Sequence, residues 1–113
     1  DTTLLFVTLN KSDKDFSPST QYDDYVINKD YFHWQSKNTD SHHNRGGRIY
    51  TEQPQRHNKI VLFVREEKKD GFGNTCPFHC FGLVDYVSSH GDFPMNITWK
   101  LEKPVMPQYL KVV

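Results

Sequence analysis

The chain contains no alanine, the strongest helix former, in 113 residues. It instead uses Val, Ile and Thr and has sixteen aromatic residues: eight Phe, six Tyr and two Trp. β-branched and aromatic side chains fit the pleated, half-buried surface of a sheet. The composition therefore predicts a mostly β fold, and the length predicts a single domain over residues 1–113 with one modest core.

Hydrophobic patterns indicate where the strands lie. Residues 4–9 form a short apolar run, and residues 59–66 form a longer one that we expect to be central in the sheet. A strand over 78–87 is interrupted by Gly82, which is typical of a bulge or of a close backbone approach. Residues 95–101 alternate strictly. The face that this alternation predicts to be buried consists of Met95, Ile97, Trp99 and Leu101.

The remaining segments are less regular. Residues 25–34 contain either a hairpin turn or a helical turn, and we expect a short helix or 3₁₀ turn that enters a strand near Trp34. The polar residues 36–47 form the longest loop. We expect a strand to start over 48–52 and a connection over 53–58. Six short strands at this spacing predict a curved sheet or small β-barrel with one or two short helices.

The charge of the chain is balanced overall but unevenly distributed. Residues 1–40 carry four Lys and seven Asp, a net charge of −3, whereas residues 41–113 carry ten basic and seven acidic residues, a net charge of +3. The basic residues near the middle of the chain are Arg45, Arg48, Arg56 and Lys59. A local basic loop on a neutral body suits a module that recognises one small feature of DNA, with the bulk phosphate affinity supplied elsewhere.

Location and cofactor use are constrained by what the sequence lacks. There is no run of 18 or more apolar residues and no secretory signal pattern, so we expect a cytoplasmic protein. Cys76 and Cys80 flank His79 in CPFHC, but a strand would direct these side chains alternately, so we expect buried thiols, no metal and no cofactor. Because the chain begins at Asp1 rather than Met, we also expect it to be part of a longer polypeptide.

A cluster of aromatic and polar residues at 22–25 and 31–36 has the composition of a nucleobase pocket. Flat side chains can sandwich a flipped base, a carboxylate can accept from an exocyclic amine, and an amide can donate to a ring acceptor. The alternative is that Tyr25, Phe32 and Trp34 simply belong to the core, and composition alone favours this alternative.

A nuclease is a second possibility, since residues 42–45 (HHNR) and 56–58 (RHN) resemble an HNH motif. Metal-dependent cleavage needs a fixed histidine base and fixed ligands. We expect these histidines to lie in a flexible loop with no helix after it, which disfavours a nuclease. Phosphate-binding loops, serine-hydrolase motifs and Cys/His dyads are also missing, so we expect no chemistry from this chain itself.

The segments LFVTLNKSDKDFSP, YDDYVI, FHWQS, LFVRE, FGLVDYV and PMNITWKL, in this order, closely resemble one family over about residues 3–110. It is the domain of unknown function at the C-terminus of bacterial restriction proteins that join a phospholipase-D-type nuclease to a DEAD-box helicase motor. The layout is also similar to PUA-like domains, including SRA and YTH/EVE domains, in which a polar loop follows the first strand and a Trp lines an aromatic cage.

The resemblance implies a C-terminal DNA-reading module of an ATP-dependent type IV restriction endonuclease. It implies a PUA/SRA-like barrel that recognises 5-methylcytosine or 5-hydroxymethylcytosine in double-stranded DNA by base flipping, with the nuclease and helicase domains of the parent chain as partners. Two alternatives remain: a structural or protein-interaction domain that couples helicase and nuclease, and a small metal-dependent nuclease.

With the resemblance included, Trp34 is assigned to the pocket rather than to the core, whereas Phe63 and Trp99 are assigned to the core. The proposed pocket residues are Ser12, Tyr22, Asp24, Tyr25, Trp34 and Gln35. The proposed DNA-backbone contacts are Lys11, Ser36, Lys37, Arg45 and Arg48. Gly46 and Gly47 between the two arginines are expected to let the backbone approach a phosphate.

Overall fold

A computed structural model describes residues 1–10 and 23–110. Within these ranges it has six strands, two short helices and a 3₁₀ turn at Pro107–Tyr109. The strands are β1 (Thr2–Asn10), β2 (Tyr25–Val26), β3 (Tyr31–Gln35), β4 (Lys59–Glu67), β5 (His79–His90) and β6 (Asn96–Leu101). The helices are α1 (Arg45–Thr51) and α2 (Gln53–Arg56).

All six strands join one sheet in the order β1-β4-β5-β6-β3-β2. The β1–β4 pair is parallel, and the other four pairs are antiparallel. The sheet curls into a half-barrel, so its two edge strands, β1 and β2, border an opening. The predicted mostly β class, the curved sheet and the two short helices are confirmed.

The inner face of the curl holds the core. β4 is an interior strand, as predicted from its continuous apolar run, and the four residues that the alternation over 95–101 indicated are all buried. Trp99 is fully buried, which confirms its assignment to the core. Phe63 points to the other face and is only half-buried, so its assignment to the core is wrong. Side chains of α1 and of the C-terminal segment, including Tyr50, Val105 and Tyr109, cover the inner face.

Two irregularities in β5 produce the curl. Leu62 pairs with Gly82, but its neighbour Phe63 pairs with Cys80, so one extra residue bulges from β5. Gly82 has a φ of 87°, which a glycine adopts without strain, and the predicted bulge is confirmed. The second irregularity follows Tyr86, whose N–H donates to the side-chain oxygen of the buried Gln53, 2.9 Å away.

The segment over 25–34 is a hairpin, and the expected helical turn is wrong. The Asn28 side chain causes the turn, because its Oδ1 accepts from the N–H groups of Asp30 and Tyr31 at 2.8 and 3.1 Å. Asn side chains satisfy the backbone of a tight turn in this way. The hairpin alternative therefore describes this part of the chain.

The expected strand over 48–52 is also wrong, because α1 occupies this segment. Asn44 caps the helix, with its Oδ1 accepting from the Gly47 N–H at 3.0 Å. Tyr50 then anchors α1 by packing on the core. The expected connection over 53–58 contains α2, whose second residue is Pro54. No helix in the described ranges is long and apolar enough to cross a membrane.

Candidate functional site

The outer face of the sheet has two chemically different halves. Residues that pair directly in neighbouring strands point to the same face, so the strand register identifies its members. The polar face lies on β2, β3 and β6 and consists of Tyr25, Tyr31, His33, Gln35, Asn96, Thr98 and Lys100. The apolar face lies on β1, β4 and β5 and consists of Leu4, Phe6, Val61, Phe63 and Leu83.

An exposed aromatic ring stands at the edge of the polar face. Tyr25 is 45% exposed, and its ring stacks on that of His33 with centroids 4.5 Å apart and planes 15° apart. His33 is buried, and its Nδ1 lies 2.9 Å from the carbonyl oxygen of Asp23. Because a carbonyl only accepts, Nδ1 carries the proton. The His33 ring is thereby held in place and supports one face of Tyr25.

Beside this ring pair, a hydrogen-bond network engages two of the predicted pocket residues. Asp24 is buried, and its Oδ1 accepts from the Gln35 backbone N–H at 2.9 Å. The Gln35 side chain accepts from the Asp23 N–H at 2.6 Å and donates to Asn96 at 3.0 Å. These contacts dock the segment before β2 onto β3. Asp24 and Gln35 therefore hold the shape of the site, and the roles toward cytosine that the sequence suggested for them compete with these bonds.

Trp34 lies on the inner face, away from Tyr25. It is 9% exposed and contacts Tyr50 and Trp99, with ring centroids 5.0 and 6.2 Å away. Successive residues of a strand alternate between faces, so Trp34 and the Tyr25–His33 pair lie on opposite sides of the sheet. Trp34 and Tyr25 therefore cannot be opposing walls of one pocket, and Tyr22, the other tyrosine predicted to line the pocket, lies outside the described residues. Trp34 belongs to the core, as composition alone had favoured.

The predicted DNA-backbone contacts are scattered. Arg45 and Arg48 are exposed on α1, which packs against the inner face, so the sheet separates them from Tyr25. Ser36 is fully buried; its Oγ accepts from the Met95 N–H at 2.9 Å, which makes it a structural residue and corrects the prediction. Lys37, the next residue, is exposed. The predicted residues Lys11, Ser12 and Tyr22 lie outside the described residues.

The glycine pair in α1 serves packing rather than phosphate approach. A Cβ on Gly47 would collide with the carbonyl oxygen of Ser41 and with the Met95 side chain, and a Cβ on Gly46 would collide with the Asp40 carboxylate. Both glycines therefore let α1 lie directly against the preceding loop.

A groove opens where the two edges of the curled sheet face each other. This edge groove has a volume of about 910 Å³, within the range of small-molecule sites. Asn10 from the end of β1 lines it together with Asp24 and Tyr25. Its apolar walls include Leu9, Val26 and Leu110. The groove thus places an aromatic ring, a carboxylate and an amide at one opening.

Charged groups at the edge groove have both signs. Lys29, Glu66 and Tyr109 line it. Burial and then the negative charge of Glu66 raise the pKa of Tyr109, so its hydroxyl stays protonated. The hydroxyl donates to the Val64 carbonyl oxygen at 3.3 Å. Because carboxylates accept hydrogen bonds and repel anions, they favour a ligand edge that carries hydrogen-bond donors and disfavour a phosphate.

The histidine-rich segment differs from its expected form. His42 is held by Asp92 and Ser89, and α1 begins three residues later, so the expected flexible loop without a following helix is wrong. Among the described residues, no group of three or more His, Cys, Asp or Glu is placed to hold a metal ion. Cys76 is half-buried and Cys80 is exposed, so the expectation of buried thiols is wrong as well.

Sequence reasoning missed His33 and Asn10 as residues of the site. The signal for His33 is the alternation over 31–35, which separates Tyr31, His33 and Gln35 from Phe32 and Trp34 once the segment is treated as a strand. No local pattern indicates Asn10, because its position at the groove depends on the curl that brings β1 opposite β2.

Comparison with known families gives one match. A family model described as a domain of unknown function, DUF3427, matches residues 1–112. No curated protein matches the chain.

Proposed function

The chain belongs to DUF3427, a family of uncharacterised domains, and we propose that it is a DNA-binding module that recognises modified cytosine in the edge groove. The proposal rests on the observation that Tyr25, Asp24 and Asn10 line the same groove. The resemblance drawn from the sequence supplies the modified base as the ligand. In this proposal Tyr25 takes the stacking role that the sequence had suggested for Trp34.

The energy of binding must come from several contacts. Flipping a base out of a duplex costs a few kcal/mol. Stacking on one aromatic ring returns about 1–3 kcal/mol. The Tyr25 ring alone therefore does not offset the flip, and edge hydrogen bonds are needed as well. The Asn10 amide supplies both a donor and an acceptor at the groove, and the Glu66 carboxylate accepts from an exocyclic amine.

Discrimination by a methyl group is modest on this account. A methyl buried against the apolar walls, such as Leu9 and Val26, gains about 0.8 kcal/mol. This corresponds to about a fourfold difference in affinity. The helicase and nuclease domains of a parent chain would then amplify a small binding preference. They would also supply the phosphate affinity that a module with zero net charge lacks.

A titration tests the proposal. The protein is titrated with a duplex that carries one 5-methylcytosine and with the same duplex unmodified, at several salt concentrations. We expect tighter binding to the modified duplex at each concentration. The Tyr25→Ala variant should lose about 1–3 kcal/mol of binding free energy to the modified duplex, roughly 5- to 150-fold in affinity.

Tyr31→Ala is the matched control, because Tyr31 lies on the same face and pairs with Lys100, outside the edge groove. The affinity of Tyr31→Ala for the modified duplex should stay close to that of the protein without a substitution. Equal binding of both duplexes at all salt concentrations contradicts the recognition of modified cytosine. Equal losses for the two tyrosine variants contradict the placement of the base at Tyr25.

A second candidate function rests on the apolar face. Leu4 and Phe6 are 51% and 57% exposed, and the Phe6 ring stacks on that of Phe63 with centroids 5.0 Å apart. Contiguous exposed apolar surface is typical of protein contacts. This observation favours the interaction domain that couples helicase and nuclease. That function predicts that Phe6→Ser disrupts association with the other domains of the parent chain, whereas Tyr25→Ala does not.

A further inference from the structure

A chain of hydrogen bonds links three side chains away from the edge groove. The Ser89 Oγ in β5 lies 2.6 Å from the Nε2 of His42, which belongs to the segment between β3 and α1. The His42 Nδ1 lies 2.9 Å from the Oδ1 of Asp92, in the turn between β5 and β6. This is the order of nucleophile, base and orienting acid that activates a serine in acyl transfer.

The protons of this chain can be assigned from the partners. The backbone N–H of His42, 2.7 Å away, and then its side chain hold the pKa of Asp92 at about 2, so this carboxylate is ionised at neutral pH. An ionised carboxylate only accepts, which makes Nδ1 of His42 the donor. In the neutral imidazole, Nε2 then accepts from the Ser89 hydroxyl. The Tyr86 hydroxyl, 2.6 Å from the Ser89 Oγ, donates to that oxygen.

The backbone holds these groups in register. Ser89 is fixed by its pairing with Ile97 of β6. The segment that carries His42 is tied to the same hairpin, because the Phe93 N–H donates to the Asp40 carbonyl oxygen at 3.0 Å. The His42 and Asp92 side chains are 29% and 34% exposed. Ser89 is half-buried, so a small molecule can reach both the imidazole and the serine from solvent.

We propose that Ser89, His42 and Asp92 form a nucleophilic site that hydrolyses small carboxylic esters. Ser89 Oγ attacks the carbonyl carbon and forms a C–O bond while its proton moves to His42 Nε2. As Oγ bonds to the carbonyl carbon, the Tyr86 hydroxyl turns its proton from Oγ to the carbonyl oxygen, which gains negative charge two bonds away. The C–O bond to the alcohol then breaks, and the alcohol leaves with the proton from His42.

Water completes the cycle. It gives a proton to His42 and attacks the acyl group on Ser89, and the bond to Oγ breaks as His42 returns the proton to this oxygen. The net reaction converts an ester and water into a carboxylic acid and an alcohol, with no other reactant. Asp92 orients the imidazole throughout and is a positioning residue.

The alternative is that the three side chains only fasten the 36–44 segment to the β5–β6 hairpin. A purely structural link does not make Ser89 more reactive than other serines. Ser88 is the matched control, since it is the adjacent residue of β5, is exposed and has Thr98 as its partner in β6.

The experiment treats the protein with an alkyl fluorophosphonate, followed by intact-mass measurement and peptide mapping, and measures hydrolysis of p-nitrophenyl acetate in parallel. We expect one adduct, on Ser89, together with ester hydrolysis. Ser89→Ala should abolish both, and Ser88→Ala should change neither. His42→Ala should slow labelling by about 10²–10⁴-fold, the usual contribution of a general base.

Asp92→Asn preserves the shape of the link and removes the charge that selects the tautomer, so it should slow labelling while its thermal melt stays close to that of the unmodified protein. If His42→Ala does not fold, Asp92→Asn distinguishes the nucleophilic site from a purely structural link. Absence of an adduct on Ser89, equal labelling of Ser88, or ester hydrolysis that survives Ser89→Ala would overturn the proposal. Binding of modified DNA by Ser89→Ala is a separate readout, because Ser89 does not line the edge groove.

Discussion

The inner and outer faces of the β2–β3 hairpin show two different uses of aromatic residues. On the inner face, Trp34 is buried and contacts the Tyr50 ring in a T-shaped arrangement and the Trp99 ring at a tilt. On the outer face, Tyr25 rests on His33 and keeps much of its surface in contact with solvent. The same short segment therefore supplies both a core anchor and an accessible stacking surface.

This difference shows that ring size is a poor guide to a base-binding residue. Trp34 has the larger stacking surface, but the core already uses that surface. A base can stack only where a ring face is supported on one side and open on the other. Tyr25 meets both conditions, and strand alternation excludes Trp34 from the same site.

The largest effect is expected from Trp34→Ala. Removing this buried ring should cost about 3–5 kcal/mol of unfolding free energy, because it leaves a cavity between Tyr50 and Trp99. Thermal and denaturant melts measure the loss. Tyr31→Ala, on the outer face of the same strand, is the control and should melt close to the unmodified protein. A near-normal melt for Trp34→Ala would contradict the assignment of this ring to the core.

A smaller loss is expected from Gly47→Ala. Alanine favours a helix in isolation, but its Cβ would collide with the Ser41 carbonyl oxygen and the Met95 side chain. Overpacking of this kind typically costs about 1–3 kcal/mol. Gly71→Ala is the control, because nothing lies within 4 Å of its Cβ position. Stabilisation by Gly47→Ala would show that α1 does not pack closely on the loop before it.

The smallest effect concerns pH. The pKa of Asp92 is lowered to about 2, first by the His42 backbone N–H and then by the His42 side chain. A carboxyl whose pKa is lower when folded contributes stability above its unfolded pKa and loses it as the pH falls toward the folded value. The difference in melting temperature between the unmodified protein and Asp92→Ala should therefore be constant above about pH 5 and shrink toward pH 2. A difference that grows on acidification would contradict the assigned bonds.

The sequence predicted the parts of this fold that depend on one strand's own pattern. The apolar run of β4, the alternation of β6 and the glycine bulge of β5 are all local signals, and the structure confirms each. The segment over 48–52 was predicted wrongly because its residues favour a strand. The cap from Asn44 and the packing of Tyr50 on two tryptophans override that local preference.

The candidate site was less predictable, because it depends on contacts between distant segments. The 22–36 segment was recognised as rich in pocket-forming residues, but a helical turn was expected at its centre. Treating it as a hairpin divides its residues between two faces. The edge groove needs the curl of the whole sheet, which places Asn10 beside Tyr25. No spacing pattern in the sequence indicates that Asn10 and Tyr25 lie close together.

Photocrosslinking tests the central claim, that a modified cytosine stacks on Tyr25, most directly. A duplex that carries 5-iodocytosine at the modified position is irradiated with the protein, and tryptic peptides are mapped by mass spectrometry. Cleavage after Lys29 separates Tyr25 from Trp34, since they fall on peptides 15–29 and 30–37. We expect a crosslink at Tyr25, lost in Tyr25→Ala and kept in Tyr31→Ala. A crosslink at Trp34 would show that the modified cytosine does not stack on Tyr25.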